Sequence, residues 1–144
     1  MRIVLQRVLN AGVKVNGEYT GRIDNGLLVF LGVSDEDTKA DCERLAKKIA
    51  NLRIFSDEND KINLSVIDVV GEVLVVSQFT LYADCRKGNR PNFTQAGKPA
   101  YANELYEYFI ECMKPYVKKV ACGEFGADMK VELVNDGPFT VILE

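Results

Sequence analysis

The run Ser77-Gln78-Phe79-Thr80-Leu81-Tyr82 follows directly on the apolar stretch Val73-Leu74-Val75-Val76. Small polar groups and aromatics gather where a buried strand should be finishing. That mixture makes a poor core and a good pocket wall. Main-chain N–H groups at such a strand end can stabilise an oxyanion. A second chemical oddity is Asn135-Asp136-Gly137-Pro138-Phe139-Thr140, where a Gly-Pro pair interrupts two strand-like runs. Gly137 and Pro138 offer two carbonyls, and Gly137 adds no side-chain bulk. The residues alone leave the isomer of the Gly137–Pro138 bond open.

The chain contains no histidine. A Ser-His-Asp triad, a Cys-His dyad and a His-ligated zinc site are therefore excluded. Thr80 as a nucleophile would need a Lys or carboxylate base beside it, and none is obviously placed. Asp84 with Arg86 reads either as an acid beside a cation or as a surface ion pair. The four cysteines, Cys42, Cys85, Cys112 and Cys122, show no C-x-x-C spacing and read as reduced thiols. Cys42 and Cys112 fall on apolar helix faces as core filler. The stretch from Asp57 to Asn63 fails as a calcium loop, because Ile62 stands where the turn glycine is needed. Gly97-Lys98 fails as a phosphate loop, because Pro99 replaces the Ser/Thr. Neither a metal nor a cofactor is expected.

The net charge of −3 provides no general basic field for nucleic acid, so DNA is not an expected partner. Any nucleic acid must meet a local patch, of which Arg86-Lys87-Gly88-Asn89-Arg90 is the best candidate; a solvated loop is the plain alternative. No apolar run approaches the roughly 20 residues that span a membrane. The first residues lack a long apolar leader, so a cytoplasmic location is expected.

These segments need elements to hold them. The length of 144 residues fits one domain over residues 1–144. Strands are expected at 2–9 and 27–33, with a hairpin from Val13 to Ile23 turning at Asn16-Gly17. Helices are expected at 38–52 and 99–117, the first with Cys42, Leu45, Ala46, Ile49 and Leu52 on one stripe, the second with Pro99 in its first turn. The strand at 72–80 leads into a loop over 83–98, and three short strands follow near 119–124, 129–134 and 139–143. Many strands with two helices give a mixed α/β fold, a small curved, barrel-like sheet. The strand at 73–76 is apolar at every position and should be covered on both faces, by helices or by another subunit.

Taken together, the chain resembles the D-aminoacyl-tRNA deacylases of the bacterial and eukaryotic type. The resemblance is carried by Gln6-Arg7-Val8, Leu52-Arg53-Ile54-Phe55, Ser77-Gln78-Phe79-Thr80-Leu81-Tyr82, Arg86-Lys87-Gly88, Phe125-Gly126-Ala127-Asp128-Met129 and Asn135-Asp136-Gly137-Pro138. It implies a homodimer that hydrolyses the ester between a D-amino acid and the 3′ end of tRNA, with mischarged glycyl-tRNA as a second substrate. It implies that Ser77, Gln78, Phe79 and Thr80 line the catalytic pocket. It further implies a cis Gly137–Pro138 bond whose carbonyls enter the partner's pocket, hold the substrate amino group and exclude an L side chain. The terminal 2′-hydroxyl of the tRNA would replace a protein nucleophile, in keeping with the missing histidine. Arg7, Arg86, Lys87 and Arg90 would contact the tRNA.

Two positions depart from the family pattern: Ala83 stands where many members carry Gly, and Asn10-Ala11-Gly12 differs from the common run. Two other functions remain open: a deacylase for other mischarged tRNAs, and a non-catalytic tRNA-binding module.

Overall fold

In a computed structural model describing residues 1–144, the chain forms eight strands and two helices. The strands are β1 (Arg2–Val15), β2 (Glu18–Ile23), β3 (Gly26–Gly32), β4 (Phe55–Ser56), β5 (Ile62–Leu64), β6 (Glu72–Ser77), β7 (Val120–Cys122) and β8 (Lys130–Leu143). The helices are α1 (Lys39–Asn51), between β3 and β4, and α2 (Pro99–Met113), between β6 and β7. Asn16 and Gly17 both take positive φ, 51° and 80°, as a two-residue hairpin turn requires. Asp41 returns its carboxylate to the N–H of Thr38 at 2.9 Å and caps α1.

The main sheet runs β2-β1-β3-β6-β7, with β8 lying along β1. β3 pairs with β6, and β6 with β7, in parallel. Parallel neighbours need long crossovers, and the segments containing α1 and α2 supply them. The sheet curls until β2 reaches β7. A Cβ on Gly21 would lie 2.7 Å from the carbonyl oxygen of Cys122, so only glycine allows that approach.

The curl divides the core in two. Val73 and Val75 of β6 pack with the helices, beside Leu45, Ile49, Leu105, Phe109 and Met113. Leu74 and Val76 point into the barrel with Val8, Val13, Ile23 and Leu28. Each fully buried side chain of this kind stabilises the fold by roughly 1.5–3 kcal/mol. The expected double cover of β6 is therefore met within one chain, and β6 gives no reason to invoke a second subunit. Burial pushes the Cys42 thiol up to about 12, in keeping with a core filler. All four cysteines are free.

The elements differ from expectation in five places, the first being the short strands β4 and β5, where no strand is expected. β1 runs unbroken through Asn10-Ala11-Gly12. β6 stops at Ser77, and Phe79–Tyr82 form a 3-10 turn. α2 stops at Met113 because Pro115 has no N–H to continue it. The two strands expected at 129–134 and 139–143 are one, β8, and the Gly-Pro pair sits inside it.

Candidate active site

A cavity of about 490 Å³ opens where β6 runs out. One wall is Val76, Ser77, Gln78 and Phe79; a second is Ala96, Gly97 and the start of α2; a third is Phe125 to Met129. Ser77, Gln78 and Asp128 bring its only polar side chains. The sequence expectation for Ser77, Gln78 and Phe79 places them together here. Thr80 stands just outside the wall, exposed on the 3-10 turn. Its Oγ1 accepts a hydrogen bond from Gln78 Nε2 at 2.5 Å. Thr80 has no carboxylate or amine base among its hydrogen-bond partners. As the first residues of a short turn, Phe79 and Thr80 have N–H groups with no partner inside it. Ala83 ends that turn at φ −63°, where alanine sits without strain.

The loop after the turn is braced rather than loose. Asp84 and Asn92 exchange both main-chain hydrogen bonds, at 2.7 and 2.9 Å. Between them the basic tip projects into solvent. Arg86 folds back onto Asp84, with Nη2–Oδ2 at 2.6 Å. Its guanidinium holds the Asp84 carboxyl down at about 2. Lys87 and Arg90 are exposed and make no ion pair.

The Gly-Pro pair forms a separate feature. Gln6 pairs with Thr140 and Val8 with Asn135, so Arg7 alone faces the four residues Asp136–Phe139. Those four bulge out of the ladder. Gly137–Pro138 is cis, as the resemblance implies. Gly137 takes φ +147°, and a Cβ there would meet Phe139 N at 2.8 Å. Both residues are exposed at the tip, and neither lines the cavity of its own chain. Asn135 Oδ1 accepts from Phe139 N at 2.7 Å and closes the base of the bulge.

Arg7 departs from its expected place among the tRNA contacts. It is 9% exposed. Its Nε donates to the Asp136 carbonyl at 2.9 Å, its Nη1 to the Ile54 carbonyl at 2.7 Å, and its guanidinium lies 4.8 Å from the Phe139 ring centre. A phosphate cannot reach a guanidinium so enclosed. Arg7 positions the Gly-Pro bulge.

The family model described as D-Tyr-tRNA(Tyr) deacylase matches residues 4–144. The chain belongs to that family. A protein of Thermosipho africanus (strain TCF52B) named D-aminoacyl-tRNA deacylase is 58% identical over 144 residues, covering 100% of this chain and 97% of its own. One of the same name from Bacillus cytotoxicus is 56% identical, covering 100% and 99%. A solved structure described as c-Myc DNA Unwinding Element Binding Protein matches with a TM-score of 0.94 at 44% identity, over 100% of this chain and 98% of that one. A probable eukaryotic D-amino acid tRNA deacylase shares the fold, with a TM-score of 0.85 at 19% identity.

In this deacylase-family chain, two parts of the site escaped sequence reasoning. The Phe125-Gly126-Ala127-Asp128-Met129 run was visible as a family motif, but nothing local showed that it closes the cavity. The coupling of Arg7 to Asp136 crosses 129 positions and leaves no local signal.

Proposed function

We propose that the protein hydrolyses the ester joining a D-amino acid to the 3′ end of tRNA, releasing the free amino acid and tRNA. The observation that carries this reading is the pairing of an ester-sized cavity at Ser77-Gln78-Phe79 with an exposed Gly137–Pro138 bulge that serves no cavity of its own chain. Such a bulge needs a second copy, so the working unit is a symmetric homodimer in which each bulge enters its partner's cavity. The Gly137 and Pro138 carbonyls then hold the substrate amino group and occupy the space of an L side chain. Glycine, having no side chain, passes the same test. β8 supports this assembly. Its outer edge is unpaired, and Val134 and Ile142 expose 47% and 71% of their surface.

Chemistry at the ester needs no side-chain nucleophile. The tRNA 2′-hydroxyl, next to the esterified 3′-oxygen, takes a proton from a water as it passes its own on toward O3′. Water adds to the carbonyl carbon, and the Phe79 and Thr80 N–H groups take up the oxyanion. Collapse breaks the carbonyl–O3′ bond, and O3′ receives the proton. The hydrogen bond between Gln78 and Thr80 lets Thr80 orient the Gln78 amide at the cavity wall, beside the ester. Lys87 and Arg90 meet the phosphates.

The match to a structure named for a DNA element raises DNA as a ligand. A net charge of −3, with 18 Lys and Arg set against 21 Asp and Glu, supplies no broad basic face and disfavours a duplex. Deacylation assays with D- and L-charged tRNA test the proposal. Release of D-amino acid and glycine, with L-aminoacyl-tRNA intact, is the expected outcome. Equal hydrolysis of both enantiomers points to a deacylase of broader scope, and tRNA binding without release to a non-catalytic module.

A further inference from the structure

The proposed function places one nucleotide in the cavity and leaves open how the rest of the single-stranded 3′ end is held. Phe79 and Phe93 meet edge to face at the cavity rim, with ring centroids 5.1 Å apart and planes at 68°. They remain 55% and 37% exposed. An aromatic pair left that open has apolar ring surface still to cover. Phe79 belongs to the cavity wall and Phe93 does not, so the pair continues the wall outward.

Phe93 is held rigidly. It directly follows Asn92, one half of the Asp84–Asn92 bridge. The Asn92 side chain accepts from Thr94 N at 2.8 Å, and Phe93's own carbonyl accepts from Ala96 N at 3.0 Å. Gly97 N then donates to the Val33 carbonyl at 2.8 Å and ties the loop's far end to the sheet. The same loop carries Lys87 and Arg90, exposed and free of ion pairs. Fixed, open aromatic rings beside unpaired cations form the arrangement that binds single-stranded nucleic acid, with rings under the bases and cations along the phosphates.

We propose that the Phe79–Phe93 pair is a stacking platform for the base of the penultimate nucleotide of the tRNA 3′ end, with Phe93 as its outer, dedicated member. This rests on the reading of the cavity as the site of the terminal aminoacyl-nucleotide. It gives Phe93 a positioning role: the ring binds a neighbour of the reacting nucleotide and touches no reacting atom.

The test compares a D-aminoacyl ester of adenosine with the same ester of the trinucleotide CCA. Phe93→Ala should lower the ratio of kcat/KM, trinucleotide over adenosine, by about 5- to 150-fold, mainly through KM. Phe93→Tyr, which keeps the ring, should restore it. A non-hydrolysable CCA analogue carrying 2-aminopurine at the penultimate position should lose fluorescence on binding to wild type and not to Phe93→Ala. An unchanged ratio and unchanged quenching in a folded Phe93→Ala protein would overturn the proposal. So would conversion of a wild-type dimer to monomer by Phe93→Ala, which would assign the ring to the subunit interface. Should wild type hydrolyse no ester of either length yet still quench, the platform stands and the hydrolase reading falls.

Discussion

Gly137 and Thr80 carry opposite expectations, because one fills space and the other only directs it. A Cβ at Gly137 would press on Phe139 N at 2.8 Å, in a conformation that L side chains rarely adopt. It would also project from the tip that has to meet the substrate amino group. Gly137→Ala should reduce kcat/KM for D-aminoacyl-tRNA by at least about 100-fold, equivalent to roughly 2.7 kcal/mol in the transition state. Circular dichroism should show the fold retained, since Gly137 itself is exposed at the tip of the bulge; a Gly137→Ala protein with wild-type kcat/KM would refute the role. Thr80→Ala should cost far less. The hydroxyl accepts from Gln78 and has no base to deprotonate it. Turnover should fall without vanishing, and mass spectrometry of a quenched reaction should find no acyl group on the wild-type protein. An acyl-Thr80 adduct would replace the water mechanism with a nucleophilic one.

The loop over 83–98 acts as an element in its own right, and the three cations at its tip are not equivalent. Arg86 is committed to Asp84, whereas Lys87 and Arg90 are free. The Lys87→Ala/Arg90→Ala double variant should raise KM for charged tRNA more than it lowers kcat, since phosphate contacts bind ground and transition state alike. Its log–log salt slope should flatten by about 1.5 to 2 units. An unchanged slope would move the tRNA surface elsewhere. Asp84 gives the loop a pH signature. Its carboxyl titrates at about 2, depressed by Arg86. The pairing is therefore fully present above the ordinary carboxylate range and is lost as pH falls through about 2. Carbon-13 NMR of the Asp84 carboxyl should give a midpoint near 2, rising toward 3.9 in Arg86→Ala.

This element also marks the limit of what is legible in sequence. Its basic tip and its proline were plain, while the Asp84–Asn92 bridge that braces it follows no periodicity. The two helices were legible because their apolar stripes repeat at 3.6 residues. β4 and β5, of two and three residues, were not, because no pattern fits in so short a run. β1 and β8 each read as two strands. Polar residues in their middles suggested turns, whereas pairing with each other carries both strands through, bulges included.

At the scale of the whole molecule, the Gly-Pro bulge stands apart from the cavity of its own chain, and the proposed site is completed by a second copy. The cavity lies at the end of β6 and the Gly-Pro bulge on β8, braced by Arg7 against Ile54. Double cover of β6 within one chain leaves the case for a dimer to the bulge, the free edge of β8 and the exposed Ile142 and Val134. Ile142→Lys places a charge on that surface, and light scattering should then give a mass near 16.1 kDa. The monomer should have lost D-ester hydrolysis, although Ile142 lies outside the cavity wall. Complementation gives the sharper test. Gly137→Ala disables the bulge and Gln78→Ala the cavity, so each homodimer should be nearly inactive. When equal amounts are unfolded together and refolded, half of the dimers are mixed. Each mixed dimer joins one intact cavity to one intact bulge if the bulge acts across the interface. The mixture should recover about one quarter of wild-type activity, one working site of two in half of the dimers. A bulge that served its own chain would leave every cavity in the mixture incomplete, and no activity would return.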